Sequence, residues 1–342
     1  MATTNGGAPL GPNPNRKRNS KKTAKERLQE LWALFEKEDS VLVVINADPD
    51  ALAGAMALKR LLRYRVKSVT IAYPNEIRRL NNLVMIDLLK IPCERLHTVK
   101  PAEFTKRVML DSQPSHLPVF ENIAFDVVID HHPASKGWLA RFVDIRKEYG
   151  ATASMMVEYL RAAGIKPSVA LATALFYAIK VDTNNFEKTA TLADAISFRY
   201  LFKLANLNLV RKIELSSLRR SELNYFKLAL NEMQVSKQRL YAHLGRVPSP
   251  DVLVLIADFF KQVHEVAWVF VSGIHNEKLV VIFRCDGYKK NAGRLAEKVF
   301  SAIGSAGGHR EAARAEVPLR SLDREGADFS TRKLMRLTTK HL

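Results

Sequence analysis

Seven residues of this chain could carry acid–base or metal chemistry: Asp48, Asp50, Asp111, Asp130, His131, His132 and Asp182. Each follows an apolar run. Val41–Ile45 leads into Asn46-Ala47-Asp48-Pro49-Asp50, and Val108-Met109-Leu110 into Asp111. Val127-Val128-Ile129 leads into Asp130-His131-His132, and Ala178-Ile179-Lys180-Val181 into Asp182. Singly, each acid has an ordinary explanation, because an Asp after a strand often caps the next helix for about 1 kcal/mol. Asp50, followed at once by a helical run, is such a case, and a lone histidine pair reads as a polar loop. Together they are harder to dismiss. Five carboxylates at one place repel and raise one another's pKa values, a penalty that divalent cations remove. Carboxylate plus imidazole without thiolate suits Mn²⁺ or Mg²⁺ better than structural zinc. Two such ions about 3.5–4 Å apart can activate water and clamp both oxygens of an in-line phosphoryl displacement.

For these side chains to meet, the elements before them must end at one edge. The periodicity predicts a helix over Ala24–Lys37, a strand over Val41–Ile45 and a helix over Ala51–Leu62. A strand over Val66–Tyr73, a helix over Glu76–Leu89 and the three further apolar runs, read as strands, follow. Short apolar strands alternating with helices predict a parallel α/β sheet covered on both faces, which binds ligands at the carboxyl edge of its strands. From Glu187 to Leu240 the pattern is helical, including Leu192–Leu204 and Glu222–Lys237, and reads as a connector. A second, smaller α/β pattern has expected strands at Val252–Ala257, Val266–Val271 and Leu279–Phe283, a helix over Ala292–Ile303 and a glycine turn at Gly304–His309. The expected division is a basic disordered arm over 1–24, an α/β domain over 25–190, the connector over 191–240, a second domain over 241–320 and a frayed tail over 321–342, with a cleft between the domains.

The 342 residues carry 53 Lys+Arg against 35 Asp+Glu, a formal net charge of +18, and 47% hydrophobic residues. That apolar share supports sizeable cores and excludes global disorder. No apolar stretch approaches the roughly 18 residues of a membrane span, and the first 24 residues lack the apolar region of a secretory signal. Two cysteines, Cys93 and Cys285, without CxxC spacing, argue against a disulfide framework and fit a cytoplasmic location. Residues 1–27 hold seven basic residues against Glu26 alone. The excess is compatible with a merely solubilising surface or with attraction to a polyanion.

The motifs resemble those of the DHH-family phosphoesterases. Asn46-Ala47-Asp48-Pro49-Asp50-Ala51-Leu52-Ala53, the lone Asp111, Asp130-His131-His132, Asp182-Thr183-Asn184-Asn185-Phe186 and Gly307-Gly308-His309 follow the family's order over residues 42 to about 317. The layout is similar to the subgroup in which the DHH domain precedes a DHH-associated substrate domain, as in nanoRNase/pAp phosphatases and RecJ-like proteins. The resemblance implies Asp48 on one metal and Asp50 on a second, Asp111 bridging, and His131 and Asp182 completing the second metal's ligands. Asp130 would support the histidines, and His132 would lie over the scissile phosphate. Gly307, Gly308 and His309 would bind substrate, with Arg284 where related proteins place a phosphate-binding arginine. The family's first motif usually opens with a metal-binding His, whereas this chain has Asn46 or Val44 at those positions.

The implied activity is divalent-metal-dependent hydrolysis of short nucleotides: oligoribonucleotides, linear dinucleotides or pAp. The implied cofactor is a pair of Mn²⁺ ions, with Mg²⁺ as the alternative. Two other readings stand beside it: a nucleotide or RNA binder weakened in catalysis by the missing histidine, and a polyphosphate or pyrophosphate hydrolase. Expected partners are the nucleotide substrate and RNA or DNA on the basic arm, with no membrane; a homodimer is compatible with this set.

Overall fold

A computed structural model describes residues 22–187, 190–322 and 329–341. The expected basic arm lies outside them as far as residue 21. The chain forms two compact units, the first ending at Ser217 and the second beginning at Leu218.

In the first unit, α1 (Ala24–Trp32) precedes β1 (Ser40–Val44), α2 (Pro49–Leu62), β2 (Ser68–Tyr73), α3 (Leu80–Leu89) and β3 (Glu94–Arg95). Next come β4 (Lys106–Leu110), the single turn α4 (Pro118–Glu121), β5 (Val127–Asp130) and β6 (Phe142–Ile145). Four helices close the unit: α5 (Thr152–Ala162), α6 (Val169–Asp182), α7 (Leu192–Phe202) and α8 (Leu207–Glu214). The sheet runs β3-β2-β1-β4-β5-β6 with every pair parallel. Val41 to Val44 of β1 are fully buried, as a strand covered on both faces requires. Val41 and Val43 join the larger core with α2, α5 and α6, while Leu42 and Val44 face a smaller cluster with Met109, Phe120 and Val128. A Cβ on Gly54 would lie 2.6 Å from Leu110 Cδ2, so glycine there lets α2 lie close over β4. The strand order reverses between β1 and β4, and the crevice at that switch point is where such sheets bind ligands. Asp48 and Asp50 follow β1 and Asp111 follows β4, on the two sides of it.

The second unit holds α9 (Leu223–Glu232), β7 (Gln234–Ser236), β8 (Arg239–Arg246), α10 (Pro250–Phe260), β9 (Trp268–His275) and β10 (Lys278–Cys285). It continues with α11 (Ala292–Phe300), β11 (Ser305–Gly308), β12 (Ala312–Pro318) and α12 (Thr331–Thr339). Its sheet runs β11-β12-β10-β9-β8-β7 and is antiparallel except for β8 and β9, which α10 connects as a crossover. Within the helical stretch read as a connector, Leu201 of α7 and Ile213 of α8 join the first unit's core, and Ala229 of α9 joins the second unit's.

Four local expectations change. Ala178–Asp182 is the last turn of α6, not a strand. Val252–Ala257 lies in α10, whose Ser249 cap and first-turn Pro250 are helix-start signals. Gly304–His309 contains strand β11. Part of the expected tail is α12, with Leu334 and Thr338 buried. Among the described residues no helix is long and apolar enough to cross a membrane.

Candidate metal centre

Asp48 ends the loop after β1 and caps α2, its Oδ1 accepting from Ala51 N at 2.9 Å. Asp50, inside the first turn of α2, is buried and reaches a different helix. Its Oδ2 accepts from Thr152 N at 2.6 Å and its Oδ1 from Ala153 N at 2.8 Å. These are the first amides of α5, so the carboxylate sits at a helix N-terminus, where negative charge is favoured. Asp111 leaves β4 with φ of 58°, a left-handed conformation uncommon outside glycine. Its amide donates to Ile129 O, and its Oδ1 accepts from Thr152 Oγ1 at 2.7 Å. Thr152 therefore bridges Asp50 and Asp111.

Asp130 ends β5 fully buried. Its Oδ1 accepts from His131 N and from His132 Nδ1 at 2.8 Å, and its Oδ2 from Gln113 Nε2 at 2.6 Å. His131 Nδ1 donates to Tyr149 O at 3.1 Å, which leaves Nε2 as the ring's lone-pair nitrogen. That Nε2 is buried without a hydrogen-bond partner. Three carboxylates face it: Asp182 Oδ2 at 3.2 Å, Asp111 Oδ1 at 3.6 Å and Asp50 Oδ2 at 3.9 Å. Asp182 arrives from the C-terminal end of α6.

The electrostatics follow from burial. Desolvation, then the neighbouring carboxylates, pushes Asp50 and Asp111 well above the ordinary range. Desolvation also raises Asp48 and Asp182. Burial works to raise Asp130 too, yet the hydrogen bonds from His132 and Gln113 carry it below its usual value. The same bond to Asp130 raises His132, whose side chain remains 47% exposed. The cluster brings crowded acids to a buried imidazole nitrogen that has no hydrogen-bond partner. The donor set fits a divalent cation. Asp111, His131 and His132 form one group able to hold an ion, and Asp50, His131 and Asp182 form another. Asp48 belongs to neither group, although its charge is felt at Asp50 and Asp111.

Other contributors had no periodic signature. Fully buried Gln113 donates to Asp130 and Pro133 O and accepts from Ser135 N and Oγ, tying the Asp111 loop to the loop after the histidines. Buried Asp194 accepts from Gly150 N at 2.9 Å, next to the Tyr149 carbonyl that orients His131. The dipeptide Ala151-Thr152 opening a helical run was the available signal for Thr152.

The other predicted residues lie in the second unit. Arg284, the last residue but one of β10, lies opposite Ala312. Its Nε donates to Asp258 Oδ1 at 2.6 Å and its Nη1 to Phe283 O, so the guanidinium is already paired. Gly307 and Gly308 lie on β11, and His309 N donates to Ala312 O. A Cβ on Gly308, whose φ is 151°, would meet Ala312 O at 2.5 Å, so packing alone demands this glycine. Gly307 has open space around it, with Glu297 Oε1 3.7 Å from an added Cβ.

Residues 40–179 match the model of the DHH family's N-terminal domain. The first unit is a DHH-family domain. The chain is 32% identical over 300 residues to an uncharacterized protein of Methanocaldococcus jannaschii, covering 86% of this chain and 62% of that relative. It is 24% identical over 291 residues to an A-adding tRNA nucleotidyltransferase of Geobacter sulfurreducens, covering 82% of this chain and 32% of that protein. It thus spans less than two thirds of the length of both curated relatives. Among solved structures, an exopolyphosphatase-related protein from Bacteroides fragilis is similar in fold, with a TM-score of 0.67, 15% identity and coverage of 93% of this chain and 94% of that one. RecJ from Thermus thermophilus, in complex with Mn²⁺, has a TM-score of 0.50 at 15% identity, covering 93% of this chain and 54% of that one.

Proposed function

We propose that this DHH-family protein is a divalent-metal-dependent phosphoesterase acting on short nucleotides. One observation carries the reading: the buried, unpartnered Nε2 of His131 facing the carboxylates of Asp50, Asp111 and Asp182. Asp50, Asp111, His131 and Asp182 would hold the cation, with Asp48 toward a second ion. When bound, a divalent cation lowers the pKa of water and offsets negative charge on a phosphate. The protein's own groups set the rest. The Tyr149 carbonyl fixes the orientation and tautomer of the His131 ring. Asp130 holds His132 in one orientation and favours its protonated form, from which the half-exposed ring can donate to a phosphate oxygen or leaving group. In the second unit, Gly307, His309 and Arg284 would contact the substrate.

A second reading has its own support. Val44 is fully buried on the face of β1 that packs on Met109 and Val128, and only Asn46 remains where the family has an imidazole. A weak first metal position favours a binder of nucleotides over an enzyme. Manganese and magnesium titrations over pAp, dinucleotides, short RNA and polyphosphate separate the readings. Turnover of nucleotides that Asp111→Asn abolishes is the expected result. Binding without hydrolysis at any metal concentration refutes the enzyme, and phosphate release from polyphosphate alone refutes the nucleotide assignment.

A further inference from the structure

A depression of about 770 Å³ lies wholly within the second unit, lined by the β7–β8 turn, the starts of β8 and β9, the loop before α11, α11 itself, and His341 after α12. Its rim carries Lys237, Arg239, Lys289, Lys290, Arg294 and Lys298, and among the described residues no carboxylate lines it. Lys290 pairs with Asp286 outside the lining. The other five cations have no ion pair among the described residues. Five positive charges converging on one concavity repel, and a basic surface serving only solubility has no reason to gather them there. Lys237 is held at φ of 55° in the tight turn, a left-handed position usually left to glycine or asparagine. One step before Lys289, the ring of Tyr288 is 81% exposed.

We propose that this depression binds the sugar–phosphate backbone of single-stranded nucleic acid, with Tyr288 stacking on a base. The cations are spread over one strand, a turn, a loop and a helix, a span suited to successive phosphates and larger than one phosphate needs. Lysine and arginine heads contact phosphates whatever the base beside them, so the charge-borne part of binding is independent of sequence. A basic groove with an exposed aromatic is the arrangement that holds single strands through charge and stacking. The site shares no residue with the metal centre and does not depend on hydrolysis.

The test uses the full chain in EDTA, with a fluorescein-labelled 12-nucleotide RNA or DNA strand of mixed sequence, followed by anisotropy from 50 to 300 mM KCl. The triple variant Arg239→Gln/Arg294→Gln/Lys298→Gln should bind about tenfold more weakly at low salt. Its slope of log affinity against log salt should be shallower by about 2, at roughly 0.7 per phosphate contact. Tyr288→Ala should weaken binding and leave that slope unchanged. A control triple of equal charge on α2 and after it, Lys59→Gln/Arg60→Gln/Arg63→Gln, should leave affinity near wild type. An unchanged slope in the first triple, or equal loss in the control, overturns the site. A silent Tyr288→Ala combined with equal competition by polyphosphate overturns the nucleic-acid assignment. Should the triple melt below wild type, the double Lys237→Gln/Lys289→Gln, exposed at both positions, gives the same readout with a slope change of about 1.4.

Discussion

Two isosteric changes in the acid cluster should move the stability of the metal-free protein in opposite directions. Asp111 Oδ1 accepts one hydrogen bond, from Thr152 Oγ1, and lies among carboxylates that push its pKa up. Asp111→Asn keeps an acceptor for Thr152 and removes one source of repulsion, so the metal-free variant should melt at or above wild type. Asp50 uses both oxygens on the amides of Thr152 and Ala153. Asp50→Asn must turn its NH₂ toward one of those N–H groups, a buried clash costing about 1.5–3 kcal/mol. With metal the signs converge. At a concentration 100 times the dissociation constant, wild type gains about 2.7 kcal/mol from binding. A hundredfold weaker site retains about 0.4 kcal/mol at that concentration. At about 2–4 °C per kcal/mol for a unit of this size, the metal-induced rise in Tm should shrink by about 5–9 °C in Asp111→Asn. Thermal melts in EDTA and across a manganese titration measure both effects. A wild-type metal shift in Asp111→Asn refutes its place at the centre. A metal-free Asp111→Asn that melts well below wild type refutes the repulsion argument.

Gln113→Ala should cut kcat on a chromogenic phosphodiester by about 10–100-fold, because Asp130 and the Ser135 loop lose their common partner; unchanged kinetics would make Gln113 a packing residue only. Asp144 accepts from Arg27, Arg146 and Tyr159 in a buried network, so Asp144→Ala should lose about 3–5 kcal/mol in urea unfolding, against about 1–2 kcal/mol for Tyr159→Phe. Burial lowers His243 from 6.5 to about 4, so the unfolded chain takes up that proton first and stability falls as pH drops below about 6.5. The loss from this one group should reach about 2 kcal/mol at pH 5 and about 3 kcal/mol near pH 4. The difference in urea midpoints between pH 7.5 and 5 should therefore shrink in His243→Gln, and an equal difference in both proteins would refute the assignment.

What could be read from the sequence depended on how each element is buried. β1 was legible because both of its faces are covered, which leaves an unbroken apolar run with acids where it ends. The same logic misled at Ala178–Val181. Helix α6 is buried on nearly every side from Leu171 to Ile179, so its sequence loses the 3.6-residue period and imitates a buried strand. Asp182 still reaches His131, because a helix C-terminus can deliver a side chain to the sheet edge as well as a strand end can. Helix α10 was misread for a related reason. Val252, Leu253, Ile256, Ala257 and Phe260 are buried at helical spacing, but apolar residues fill the positions between them. β6 escaped notice because it is four residues long with Asp144 and an exposed Val143 in it. Gln113, Thr152 and Asp194 act through hydrogen bonds between segments distant in sequence, and no local pattern encodes such bonds.

Capping and metal binding, opposed as explanations when the acids are read one at a time, are compatible here. Asp48 caps the helix that follows it, as the ordinary reading of an Asp after a strand requires. Asp50 accepts the first amides of a helix that starts about a hundred residues later. A carboxylate has about four lone-pair sites, and two backbone bonds leave half of them for another partner. Those bonds hold Asp50 in one rotamer beside His131, so little ordering remains for an ion to impose on binding. Thr152 extends the same economy, because its amide serves Asp50 and its hydroxyl serves Asp111. The N-terminus of α5 thereby sets the spacing of two acids that follow different strands. A helix start that meets its own need for acceptors with the acids of the cluster makes folding of the first unit and assembly of the site one event.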